Sequence, residues 1–178
     1  MALKATIYKA QLQVSDLDRH YYGTHSLTLA CHPSETEERL MVRLFAFALF
    51  ASDSLAFTRG LSSEDEPDLW DIDLSGRITH WLELGTPDEA RIRKGCSRAE
   101  RVTIISYGAR SAPVWWAKAR EKLTRFEKLS VLYLPKETTD ALAAMATRTM
   151  DLQVTIQDGQ LWFSNADRTV AITPERWL

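Results

Sequence analysis

Two spacings of apolar residues take turns along this chain. Over residues 4–14, Tyr8, Ala10, Leu12 and Val14 recur at every second position, which places them on one face of a strand. Leu27, Leu29 and Cys31 repeat the same period over 22–31, so this second strand is the expected partner of the first across a polar, turn-like link at 15–21. The period then changes. Ser34 and Glu37 have the spacing of a capping box, and Leu40, Met41, Leu44, Phe45 and Ala48 follow at helical intervals, a stripe suited to packing on a sheet. A short strand over Leu55–Arg59 and an acidic loop over Gly60–Glu66 come next.

Period two returns at Leu69–Asp73 and again at Ile78–Leu84, with Leu74-Ser75-Gly76 as the turn between them. In the return strand Ile78, His80, Leu82 and Leu84 share one face, and Thr79, Trp81 and Glu83 share the other. Thr86-Pro87-Asp88-Glu89 predicts a helix start with Thr86 as N-cap, and Ile92, Gly95, Cys96 and Ala99 form its apolar stripe. Arg101–Tyr107 is rich in β-branched residues and reads as a buried strand, parallel to its neighbour across the helix. A third helix is expected over Val114–Phe126, a strand over Val131–Leu134 and a short helix over Thr139–Arg148. The segments 153–156, 161–164 and 169–173 read as a meander whose first turn is Asp158-Gly159.

Composition narrows the class. The chain has 178 residues, 45% hydrophobic and 26% charged, which describes an ordinary folded domain; with no linker or repeat, one domain over 1–178 is expected. No apolar run is long enough to span a membrane, because Arg43 breaks the stretch 40–51. The N-terminal residues lack a secretory apolar region, and the two cysteines, Cys31 and Cys96, lie far apart. A cytoplasmic protein with reduced thiols is the expectation. The net charge of −2 conceals an asymmetry: residues 34–86 carry eleven acidic and four basic side chains, and residues 87–130 carry five acidic and eleven basic. An acidic site beside a basic rim suits metal-dependent work on phosphates.

The hairpin is where that chemistry concentrates. Asp68 opens it and Glu83 closes it, so antiparallel pairing brings both carboxylates to one end of the sheet, and the following helix brings cations, Arg91, Lys94 and Arg98. Carboxylates so placed suit a hard divalent cation. Asp71 and Asp73 read more simply as solvent-facing strand positions, and Asp68 has the alternative of a turn residue after Pro67. On a helical wheel Lys94 lies nearly opposite the apolar stripe, whereas Arg91 and Arg98 border it. Glu38, in the first turn of helix one, is a third carboxylate whose simpler role is to complement the helix dipole. In helix three Lys118, Lys122 and Arg125 make a basic row fit for a nucleic-acid backbone. Trp115 and Trp116 offer stacking surfaces, or core and rim of the same helix. The four histidines, His20, His25, His32 and His80, lack zinc-ligand spacing, and neither a Gly-rich phosphate loop nor a Gly-x-Ser-x-Gly elbow occurs.

Four segments carry a family resemblance: His32-Pro33-Ser34-Glu35-Thr36-Glu37-Glu38-Arg39, Asp68-Leu69-Trp70, Trp81-Leu82-Glu83-Leu84-Gly85-Thr86-Pro87 and Arg91-Ile92-Arg93-Lys94. Over essentially its full length the chain resembles the YaeQ family, and over about 34–107 the PD-(D/E)XK nuclease superfamily. The resemblance implies an α/β fold: a mixed central sheet flanked by helices, with a restriction-endonuclease-like αβββαβ core, an extra N-terminal hairpin and a C-terminal β meander. It also implies Mg²⁺ or Mn²⁺ on Asp68 and Glu83, with Glu38 assisting, and hydrolysis of nucleic-acid phosphodiester bonds. One departure matters. The superfamily places a Lys two residues after the second carboxylate, and Gly85 stands there. The cation then has to come from Lys94 or Arg91 on the next helix, where some superfamily members carry theirs, with Lys118, Lys122, Arg125 and Arg98 holding the backbone. The alternatives are a nucleic-acid-binding module that kept the fold and lost the chemistry, and a protein-interaction adaptor.

Overall fold

A computed structural model describes residues 4–59 and 63–178. The chain folds as mixed α/β, with two mixed sheets and four helices among the described residues. It divides into two compact units: residues 1–52 with 137–173, and residues 53–136 with 174–178.

In the first unit, β1 (Thr6–Asp16) and β2 (Tyr21–Cys31) form the antiparallel pair that their shared period predicts. Both strands run further into the expected link, which shrinks to a tight turn with His20 at a φ of 56°. The meander forms as β8 (Thr149–Gln157), β9 (Gln160–Ser164) and β10 (Thr169–Ile172), the first two longer than expected and the third one residue shorter. Strand β8 lies parallel to β1, giving the order β10-β9-β8-β1-β2. Helix α1 (Glu37–Leu49) is buried without interruption from Leu40 to Ala48, Arg43 included. Its cap is Thr36, whose hydroxyl accepts from the Arg39 N–H at 3.1 Å, so the expected Ser34/Glu37 box is displaced by two residues. Glu35, next to the cap, pairs instead with the buried Arg43 at 2.8 Å. The short helix expected at 139–148 starts earlier, as α4 (Lys136–Ala143).

The second unit holds a six-stranded sheet in the order β11-β7-β6-β5-β4-β3. Its strands are β3 (Leu55–Phe57), β4 (Leu69–Ile72), β5 (Ile78–Leu84), β6 (Ala99–Tyr107), β7 (Leu129–Leu134) and β11 (Glu175–Arg176). Strands β5, β6 and β7 run parallel, joined by α2 (Glu89–Arg98) and α3 (Ser111–Leu123), while β3, β4 and β11 are antiparallel additions. Trp81, Ile92, Val102, Ile104, Leu123 and Val131 share one core cluster, against which Trp115 and Trp116 pack. The face of β5 that carries Glu83 is therefore the face under α2 and α3. Gly95 explains how closely α2 approaches: a Cβ there would sit 2.9 Å from the Trp81 indole. No helix among the described residues is long and apolar enough to cross a membrane.

Candidate functional site

The hairpin register sets the site. Leu69 pairs with Leu82 and Trp70 with Trp81, so one step further Asp68 stands opposite Glu83 at the open end of the hairpin. Backbone bonds fix that end: the Asp68 N–H donates to Leu82 O at 3.0 Å, and the Leu84 N–H donates to Asp68 Oδ2 at 2.8 Å. The Thr58 N–H closes on Asp68 O at 3.2 Å, tying in the segment after β3. Both carboxylates are buried, Asp68 at 4% exposure and Glu83 at 2%.

Burial of a carboxylate opposes its ionisation. Glu83 is pushed up to about 7: desolvation is the largest cause and the Asp68 charge adds to it, against the opposing bonds from Arg91 and Trp81. The Trp81 Nε1–H donates to Glu83 Oε1 at 2.8 Å, as two same-face neighbours on a strand can. Arg91 Nε pairs with the Glu83 carboxylate at 2.8 Å. The positive group closest to Glu83 in this geometry thus comes from the first turn of α2.

The helix begins two residues later than the sequence suggests. Asp88, not Thr86, is the N-cap, and its carboxylate accepts from the Arg91 N–H at 2.8 Å. This later start puts Arg91 in the first turn. Helical side chains lean toward the N-terminus, which here is the end of β5, so Arg91 reaches back to Glu83. Lys94 and Arg98 take other partners. Lys94 Nζ lies 3.3 Å from Asp65 Oδ1 and 3.4 Å from Glu64 O. Arg98 Nη1 donates to Asp65 O at 2.7 Å, and its guanidinium lies 5.3 Å from the Trp81 ring centre. Arg91 Nη2 also donates to Glu66 O at 2.6 Å. Three cations of α2 therefore fasten three consecutive carbonyls, Glu64 to Glu66. Glu66 itself is held below the usual carboxylate range by the Arg59 N–H and guanidinium. Of the acidic loop expected at 60–66, residues 60–62 lie outside the described residues.

Other candidates are dispersed. Glu38 belongs to the first unit, where Thr139 Oγ1 donates to its Oε2 at 3.2 Å. Lys118 is exposed on α3, Lys122 lies 3.8 Å from Glu89 Oε2, and Arg125 pairs with Glu89 Oε1. Arg125 falls beyond α3, because that helix runs over 111–123 rather than 114–126; the basic row is a helix face continued into the cap. Trp115 Nε1 donates to Pro87 O at 2.8 Å, and Trp116 stacks on Trp177, which stacks on Tyr133. His80 is buried on the opposite face of β5. Its Nδ1 meets Arg101, a donor only, so Nε2 carries the proton and donates to Thr103 Oγ1 at 2.8 Å.

Sequence reasoning overlooked two participants. Trp81 was legible in part from Trp-x-Glu spacing on a strand. The carbonyls of Glu64–Glu66 were not, since a backbone acceptor leaves no trace in side-chain patterns.

The YaeQ protein family model matches residues 1–174. The chain belongs to the YaeQ family. It is similar to the uncharacterised YaeQ protein of Escherichia coli (strain K12), 48% identical over 177 residues, covering 99% of this chain and 98% of that one. The Salmonella typhi YaeQ protein is 49% identical with the same coverage. Among solved structures, YaeQ from Xanthomonas axonopodis pv. citri superposes with a TM-score of 0.93 at 49% identity, over 97% of this chain and 98% of that chain. YaeQ from Pseudomonas syringae gives 0.93 at 35% identity, over 98% and 96%. The YaeQ architecture is thus shared along almost the whole chain.

Proposed function

We propose that this YaeQ protein is a metal-dependent enzyme acting on nucleic-acid phosphodiester bonds, with its centre at Asp68 and Glu83. The observation that carries the reading is the pair of buried carboxylates facing each other across the hairpin end, one of them already holding Arg91 at 2.8 Å. The donor set fits Mg²⁺ or Mn²⁺. Such ions favour carboxylate oxygens, and Mg²⁺ typically binds one or two carboxylates together with water and substrate phosphate. The desolvation that raises Glu83 is relieved by a divalent charge. Within the second unit the order β3, β4, β5, α2, β6, with β5 and β6 parallel, supports the βββαβ part of a restriction-endonuclease-like core.

Asp68 and Glu83 would hold the ion. The chemistry such an ion supplies is acidification of water and neutralisation of charge on a phosphodiester oxygen. The chain's residues do the rest. The Leu84 N–H orients Asp68 and the Trp81 indole orients Glu83. Arg91 replaces the strand cation absent at Gly85. A guanidinium only donates hydrogen bonds, so its role is to stabilise charge on the phosphate in the transition state. Lys118, Lys122 and Arg125 hold the nucleic-acid backbone.

A second reading, a binding module without catalysis, is favoured by one observation: the Arg91 guanidinium already occupies the Glu83 carboxylate at 2.8 Å, where an ion would sit. Titration calorimetry with Mn²⁺ separates the two. Wild type is expected to bind one ion per chain, with binding lost in both Asp68→Asn and Glu83→Gln. Absence of binding by wild type removes the catalytic reading, and equal binding by all three proteins moves the ion elsewhere.

A further inference from the structure

The other end of the hairpin carries a feature that the catalytic reading does not use. Leu74, at the tip between β4 and β5, is fully exposed, with a relative exposure of 110%. A large apolar side chain held wholly in water on a loose loop means little. This loop is not loose. Asp73 Oδ1 accepts from the Ser75 N–H at 2.8 Å, the Ser75 hydroxyl at 2.6 Å and the Arg77 N–H at 3.0 Å. The Asp73 N–H donates to Arg77 O at 2.9 Å, and Gly76 takes a φ of 87° to close the turn. The tip is thereby braced from both sides with Leu74 at its apex.

Beside it lies a cavity of about 380 Å³ lined by Gly76, Arg77, Arg98, Glu100 and Lys128. Three cations and one carboxylate line it, with Arg98 also held by Asp65 O. Arg77 pairs with Glu100 and remains largely in solvent, and Lys128 Nζ donates to Cys96 O and Ala99 O at 3.1 Å each. A rigid apolar apex beside a net positive, polar recess has a specific complement. The phosphate backbone of a duplex matches the cations, and the gap between two stacked base pairs accepts a leucine as a wedge.

We propose that the β4–β5 hairpin tip docks on duplex DNA, with Leu74 as the wedge and Arg77 and Lys128 as phosphate contacts. The proposal rests on the nucleic-acid part of the reading above and not on catalysis. It assigns duplex as the substrate class and places the duplex contact at the end of the hairpin opposite Asp68 and Glu83.

The test is fluorescence anisotropy of a labelled DNA duplex in EDTA, which keeps cleavage out of the measurement, at two salt concentrations. Leu74→Ser is expected to weaken binding on the order of tenfold without changing the salt slope, the loss due for one exposed leucine that no longer finds an apolar partner. The paired Arg77→Gln, Lys128→Gln variant is expected to flatten the slope of log K against log salt by about two, roughly 0.9 per phosphate. Thermal melts should show Leu74→Ser as stable as wild type. Wild-type affinity in Leu74→Ser overturns the wedge while leaving nucleic-acid binding in place. Failure of wild type to bind any duplex overturns both the tip and the nucleic-acid reading, and points to a protein partner for the apex. Tip-dependent binding without metal-dependent cleavage retires the catalytic reading alone.

Discussion

Replacing Glu83 by Gln should change how the stability of this protein depends on pH. In the folded chain Glu83 titrates at about 7 against an ordinary 4.5, because burial and the Asp68 charge outweigh the bonds from Arg91 and Trp81. Between those two values the folded state holds a proton that the unfolded chain has released. Stability therefore falls as pH rises through this window, and the loss is complete above about 7. The difference of roughly 2.5 pKa units corresponds to about 3 kcal/mol over the whole window, of which about 2.5 kcal/mol falls between roughly pH 5 and pH 8. Gln keeps the size and the oxygen that accepts from Trp81, and it removes the titration. It also removes the ion pair with Arg91, but that pair forms only as Glu83 ionises, so its pH dependence is already contained in the folded value of about 7. Urea denaturation followed by tryptophan fluorescence at about pH 5 and about pH 8 gives the slope for each protein. Wild type should lose about 2.5 kcal/mol more than Glu83→Gln across that interval. Saturating Mn²⁺ should flatten the wild-type slope, since an ion bound to the carboxylate displaces its proton. Parallel slopes for the two proteins, within about 0.5 kcal/mol, would show that Arg91 compensates the burial of Glu83 completely and would refute the reasoning.

Two further outcomes follow from the same geometry. If the protein cleaves, Arg91→Met should lower single-turnover cleavage by about a hundredfold with little change in substrate affinity, because its charge acts in the transition state; Lys94→Met should lower it less, since Lys94 is engaged with Asp65 and Glu64. Equal cleavage by wild type and Arg91→Met would remove Arg91 from that role. Gly95→Ala should destabilise by about 1–3 kcal/mol despite the better helix propensity of Ala, because the new Cβ meets the Trp81 indole at 2.9 Å; a rise in melting temperature would show that the ring gives way.

How much of this was legible in the residues follows from what each signal encodes. Period two reports side-chain direction directly, so the β4–β5 hairpin and the two faces of β5 could be read without a structure. The parallel pairing of β8 with β1 could not, since it joins Thr149 to Lys9 and no local pattern announces a partner so far away. For the same reason, the division into two units is invisible in a chain without linkers. Helix starts were misplaced where two good caps compete. Thr86 and Asp88 are both strong N-cap residues, as are Ser34 and Thr36, and only the backbone geometry decides between them.

That two-residue displacement of α2 has a chemical consequence. A wheel gives the angle of a residue around a helix but not its height along it. By angle alone, Arg91 and Arg98 are equivalent borders of the Ile92/Gly95 stripe. By height they differ: Arg91 sits in the first turn beside the end of β5, and Arg98 closes the last. Because helical side chains lean toward the N-terminus, Arg91 is directed at the carboxylate that precedes the helix, whereas Lys94 and Arg98 reach the Glu64–Glu66 segment and Arg93 pairs with Glu89. A cation absent from the strand at Gly85 is thus best recovered from the first turn of the next helix. The cap residue, by setting where that turn begins, selects which cation it is.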